Sequence, residues 1–152
     1  MGSNLGADSP KMKTSDAGIN LIKSYETCRL KAYKPTPDDV WTCGWGSTDG
    51  VTESTVWTQE QADAALRDDL EDAERCINKF VRVPLTQNEF DALVSLTFNI
   101  GCNAFSGSTL LKLLNSYDYD GAAAQFPRWD KQKGQPLAGL TRRRKDEQRM
   151  FA

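Results

Sequence analysis

The chain has no histidine among its 152 residues. That absence removes Ser–His and Cys–His catalysis and most zinc sites in one step. There is no long uncharged apolar run, so nothing reads as a membrane span. There is no basic excess either: 19 basic residues face 21 acidic ones, for a net charge of −2. A nucleic-acid binder normally carries surplus Lys and Arg, so no nucleic-acid partner is expected. No internal repeat, low-complexity tract or C-x-x-C pair occurs, which argues against repeat architectures, metal ribbons and thioredoxin-like motifs. Whatever chemistry exists must come from carboxylates, hydroxyls, lysines or thiols.

The length suits one domain with its own hydrophobic core. Residues 1–14 are polar and irregular, with an "MGS" start of the kind left by an expression vector, and read as scar plus flexible segment. Residues 15–152 read as the single domain. Four cysteines, Cys28, Cys43, Cys76 and Cys102, sit near the ends of expected elements. They are either buried free thiols or two disulfides made in an oxidising compartment. Their positions favour the second reading.

A first helix is expected from Ser15, its N-cap, to Glu26, with Ile19, Ile22 and Tyr25 on one face. From Leu30 to Val56, glycines and prolines separate aromatic and β-branched residues, which predicts a small antiparallel sheet of two or three strands. Thr58 and Gln61 form a capping box that opens a long helix to about Val81. Its acidic face, Asp68, Asp69, Glu71, Asp72 and Glu74, reads as solvated. Thr86 and Glu89 form a second box, and the helix that follows is apolar nearly all round to Ile100, as a central core helix should be. Gly101 stops it. Two short helices, the loop "DKQKGQPLAG" and a last helix "LTRRRKDEQRMFA" complete the chain. The order predicts an α+β fold, with a small N-terminal β lobe against a larger helical lobe and a cleft between them.

Glu26 falls at the hinge of those lobes, among Tyr25, Thr27 and Cys28. A glutamate partly removed from water holds its proton to higher pH. With no histidine and several indoles and phenols nearby, that setting suits glycosidic-bond cleavage by paired carboxylic acids.

The order of residues around Glu26 resembles the phage-type lysozymes, the endolysin muramidases of bacterial peptidoglycan. The family pattern reads here as Glu26, Arg29, Leu30, Tyr33, the turn "PTPDD", Thr42, Gly44 and Gly46. "VPLTQNEFDALVSLTFNIG", "STLLKLLN" and "GLTRRRKDEQRMF" resemble further segments, as in the salmonella-phage branch, so the likeness spans nearly everything after Thr14. The resemblance implies Glu26 as general acid and Thr42 as the threonine that helps hold the reacting water. Tyr33 and Asn99 become substrate contacts, and Arg142 the arginine that approaches the acid. Arg143, Arg144 and Lys145 read equally well as a solvated basic face.

Two departures stand out. Pro35 occupies the place of the family's catalytic aspartate, and the turn is one residue longer. Asp38 or Asp39 could reach the same space, and both are also ordinary turn formers. Ser47 stands where many relatives carry histidine, so Asp69 would face a hydroxyl instead of an ion-pair partner. Some relatives carry cysteines at the positions of Cys76 and Cys102. The resemblance therefore implies that bridge, which requires the buried helix to cross back at an angle, and leaves Cys28 with Cys43 as the complementary pair. The tryptophans read as lobe-packing residues.

The expected function is hydrolysis of the β-1,4 bond between N-acetylmuramic acid and N-acetylglucosamine for host-cell lysis. No metal or cofactor is implied, and the working form is a monomer in the periplasm or at the host cell wall. A cell-wall-binding module that lost its second carboxylate, and a lytic transglycosylase using one glutamate, are the alternatives.

Overall fold

The computed structural model describes residues 11–152. The scar expected at the start of the chain lies outside them. Met12 and Thr14, read as part of a flexible segment, are tied down. The Met12 amide donates to Asn78 Oδ1 (3.1 Å), and the Thr14 amide donates to Glu74 Oε2 (2.8 Å).

Helix α1 spans Asp16–Tyr25 and starts as its sequence suggests, with Ser15 as N-cap. Ser15 is itself anchored. Its amide donates to Asp91 Oδ1 at 3.0 Å, and its hydroxyl donates to the same carboxylate. The approach is tight: a Cβ added at Gly18 would lie 2.7 Å from Asp91 Cγ. Glycine here is a packing requirement, and it lets the first turn of α1 sit against Asp91.

Strands β1 (Arg29–Tyr33) and β2 (Thr42–Gly44) pair antiparallel, Arg29 with Gly44 and Tyr33 with Thr42, with an irregularity between. The segment at Thr55–Trp57 closes the other edge. Ala32 donates to Thr55 O at 2.9 Å, and the Trp57 amide to Leu30 O at 2.8 Å. Helix α2 (Gln59–Phe80) begins with the Thr58–Gln61 capping box, and α3 (Gln87–Ile100) with the Thr86–Glu89 box. Both boxes satisfy orphan amides at the helix start.

Helix α3 is buried on every side from Phe90 to Thr97, and α1, α2 and the last helix pack around it. Gly101, at φ +90°, ends it. Short helices α4 (Cys102–Ser106), α5 (Thr109–Asn115) and α6 (Tyr119–Ala123) follow, then a 3-10 turn at Phe126–Trp129. The stretch read as a loop contains a hairpin, β3 (Lys131–Gln132) with β4 (Gln135–Pro136). Its two turn residues, Lys133 and Gly134, have φ of 52° and 79°. That left-handed pair matches the twist of a two-residue hairpin. Helix α7 (Ala138–Phe151) closes the chain. The architecture is α+β: helices with two small antiparallel sheets.

Of the two expected bridges, one is present. Cys76 and Cys102 are joined, their Cα atoms 5.9 Å apart, because α3 crosses back over the end of α2. Cys28 and Cys43 are free thiols, which corrects that pairing. The reason is register. Extending the Arg29–Gly44 pairing by one residue to either side sets Cys28 toward Trp45 and Cys43 toward Leu30, so the two cysteines become diagonal neighbours. Diagonal neighbours on a sheet lie ~7–8 Å apart, beyond comfortable disulfide reach. Cys43 is instead buried with its sulfur 3.4 Å from Leu30 O.

Candidate active site

Glu26 is the first residue past α1, in extended backbone, its amide still bonded to Lys23 O at 3.2 Å. Its side chain is 26% exposed. It therefore points out of the core without lying flat in solvent. Arg143 Nη1, from α7, donates to Glu26 Oε2 at 3.1 Å. Above the acid lies the turn after β2. Gly46 holds φ +102°, and a Cβ there would come 3.8 Å from Glu26 Oε1. The β lobe thus meets the acid edge-on, as a glycine turn.

The arginine that pairs with Glu26 is Arg143, not Arg142. Arg143 and Arg144 are buried, which corrects the solvated basic face; Arg142 and Lys145 are exposed. Arg143 is held on every edge. Its Nε donates to Glu147 Oε2 (3.1 Å), its Nη2 donates to Ser95 O (3.1 Å), and its plane lies 5.8 Å from the Tyr25 ring centre. Tyr25 in turn donates its hydroxyl to Asp146. That bond and burial, burial foremost, push the phenol above its usual value. Tyr25, the last residue of α1, and Glu26, the next, are thereby both fastened to α7.

A cavity of about 700 Å³ opens beside the acid. Its walls include Tyr25, Glu26, Asn99, Leu137, Arg142 and Arg143. It brings together three of the expected residues, Glu26, Asn99 and Arg142. Tyr33, Asp38, Asp39 and Thr42 belong to the β lobe and are not part of its lining. Asn99 Oδ1 accepts from Arg144 Nη2 at 2.8 Å. Tyr33 has one face covered by Arg29, whose guanidinium lies 4.4 Å from the ring centre.

The two turn aspartates differ. Asp39 Oδ2 accepts from the Thr36 amide at 3.1 Å and from its hydroxyl at 3.0 Å, and the Asp39 amide returns a bond to Thr36 O. It holds the turn closed. Asp38 is exposed and has no such partner among the described residues. Thr42 is buried and donates its hydroxyl proton to Val40 O at 3.0 Å, which leaves its oxygen lone pairs to accept from a water.

The lobe junction has further ties. Trp45 donates its indole N–H to Asp63 Oδ1 (2.7 Å), and Lys23 spans the same pair, 3.2 Å from Asp63 and 5.2 Å above the indole. The Trp45 bond is the main cause that lowers Asp63 from its usual value. Ser47 donates to Asp69, as the departure from histidine implies. Asp69 is not on a fully solvated face: burial pushes its carboxyl up, partly opposed by the Ser47 bond.

Sequence reasoning missed Arg143, Glu147 and Ser95. The signal was present as spacing: residues 143, 147 and 151 share one helical face, and Phe151 on it is apolar. Charge density on "RRRKDEQR" masked it.

A glutamate at a helix end, held by a buried arginine and facing a glycine turn across a two-lobe junction, defines a glycoside hydrolase of the lysozyme type. The model of the phage lysozyme family matches residues 23–147, and the chain belongs to that family. The endolysin of Acyrthosiphon pisum secondary endosymbiont phage 1 is 48% identical over 144 residues, covering 92% of this chain and 98% of the relative. Two Bacillus phage endolysins, of phages PZA and B103, match 92% of this chain but only 55% and 54% of their own lengths. Among solved structures, the muramidase domain of SpmX from Asticaccaulis excentricus aligns with TM-score 0.84 and 43% identity, covering 91% of this chain and 97% of that one. A P22 lysozyme mutant aligns with TM-score 0.83 and 41% identity, covering 92% and 98%.

Proposed function

We propose that this chain is an endolysin that hydrolyses the β-1,4 bond between N-acetylmuramic acid and N-acetylglucosamine in peptidoglycan, for host-cell lysis, with Glu26 as general acid. The observation that carries the reading is the Glu26 setting: three-quarters buried, against a cavity, with one oxygen held by Arg143. Glu26 Oε1 is then left to face the cavity side and give its proton to the leaving glycosidic oxygen. Relatives named endolysin and muramidase support the same substrate.

Asp38 is the proposed second carboxylate, since Asp39 is already spent on its turn. Thr42, with lone pairs to spare, orients the attacking water. Tyr33, Asn99 and Arg142 contact the glycan. The enzyme works as a monomer outside the cytoplasm, which the Cys76–Cys102 bridge favours.

One observation favours a second reading. Among the described residues no second carboxylate lines the cavity beside Glu26, which suits a lytic transglycosylase. Turbidity of a cell-wall suspension tests the first step: Glu26→Gln should clear walls at least ~1,000-fold more slowly while melting like the parent. Clearance at the parental rate by a folded Glu26→Gln protein rejects the role. Mass spectrometry of the released muropeptides separates the two reactions, since a transglycosylase product is lighter by one water.

A further inference from the structure

The most unusual chemistry in the helical lobe lies behind the acid, not in front of it. Glu147 is fully buried on α7, as are Arg144 and, all but 3%, Arg143. Glu147 Oε2 accepts from Arg143 Nε at 3.1 Å and from the Ser95 hydroxyl. Glu147 Oε1 lies 2.9 Å from Arg144 Nε, too badly angled for a hydrogen bond. Among the described residues Arg144 Nη1 finds no hydrogen-bond partner. Replacing a whole buried ion pair by apolar side chains is often neutral, whereas removing one partner leaves the other charge buried and uncompensated. Glu147 meets both guanidiniums, and Arg143 meets Glu26.

We propose that Glu147 is a positioning residue for the acid: it fixes Arg143 against Glu26 and offsets one of two buried guanidiniums, so that Glu26 does not face both alone. The inference rests on Glu26 being the proton donor. With all four groups charged, two positive charges meet two negative ones. Remove the Glu147 charge and the balance tips. An extra uncompensated cation favours the ionised form of a nearby carboxyl, so Glu26 gives up its proton at lower pH. The other polar groups that share the cavity wall with Glu26 are Ser24, Tyr25, Asn99 and Arg142, Asp146 accepts from Tyr25, and Asp130 adds a further negative charge that acts on Arg144. Burial pushes the Glu147 carboxyl up against the pull of the two arginines, and pushes the Arg144 guanidinium down. Both directions mark a pair that depends on mutual compensation.

The experiment uses the full chain on purified peptidoglycan, together with a carbon-13 NMR titration of the Glu26 carboxyl that needs no turnover. For E147Q, kcat is expected to fall about tenfold with KM within about twofold, and the alkaline limb and the Glu26 midpoint to move down by about one pH unit. E147D restores the charge and should return both toward the parental values. R144M removes a cation and should move both upward. An E147Q protein that melts lower but keeps the parental limb and Glu26 midpoint makes Glu147 a structural charge only and overturns the proposal. If E147Q does not fold, R144M decides: a midpoint that stays put or falls overturns it equally. E26Q separates the premises. Were E26Q to clear walls normally, the acid assignment would fail, yet the NMR midpoints would still report whether Glu147 governs the Glu26 carboxyl.

Discussion

Helices α3 and α7 have the same length, 14 residues each, and lie against one another in the larger lobe, but α3 buries mostly apolar side chains, with Asp91 and Ser95 among them, while α7 buries mostly charged ones. The buried run of α3 includes Phe90, Leu93, Val94 and Leu96. The buried positions of α7 are Arg143, Arg144, Glu147 and Phe151. An apolar helix contributes through area removed from water, without direction. A buried charged stripe contributes little net stability, because desolvation offsets the attraction. What it does supply is direction: specified partners at specified atoms. The difference teaches that α3 holds the lobe together, while α7 aims one guanidinium at one carboxyl.

That division can be broken by experiment. The largest stability effect should come from α3. Leu93→Ala should cost about 2–5 kcal/mol, seen as a lower urea midpoint, with activity per folded molecule nearly unchanged. If activity collapses while the midpoint holds, α3 is doing more than packing. Loss of the bridge that pins α3 to α2 should come next: Cys76→Ser should cost about 2–4 kcal/mol, and the parent should lose the same increment in reductant. Arg143→Met should show the reverse pattern to Leu93→Ala, with cell-wall clearance falling by about a hundredfold and a smaller change in the melt. Equal losses in both would erase the contrast between the helices.

The smallest effect belongs to Asp69. Burial raises its folded-state value, so the stability it contributes is full at pH below its unfolded value and is lost as pH rises through the folded one. Asp69→Asn has no such loss. The melting temperature of Asp69→Asn should therefore gain on the parent as pH climbs through the carboxylate range, and match it most closely in acid. A difference independent of pH removes the burial argument.

Much of the scaffold was readable from local chemistry. Ser15, the two capping boxes and Gly101 act through their own neighbours, so α1, α2 and α3 begin or end where the residues say. Glu26 could be placed for the same reason, as the residue that follows a capped amphipathic helix. What escaped depends on contacts far along the chain. The resemblance points to Arg142 within a run of three arginines and cannot separate neighbours; in the structure Arg143 takes the role, since one residue is about a hundred degrees of helix rotation and α7 has no side-chain N-cap to mark its phase. The 131–136 hairpin hid behind a polar stretch whose only turn signal is Lys133–Gly134. The Cys28–Cys43 pairing failed on a strand register that no spacing reveals.

The acid and the arginine that holds it are separated by 117 positions in the chain. A polypeptide made from its N-terminus carries Glu26 long before its counterpart is made. Closing so long a loop is an entropic step that local contacts cannot reward beforehand. Site assembly is thus tied to the docking of α7, and a chain truncated within the 131–136 hairpin keeps its glutamate while losing the guanidinium that aims it. Removal of everything after that exposed turn should therefore silence the molecule while leaving α1, α2 and the β lobe in the chain.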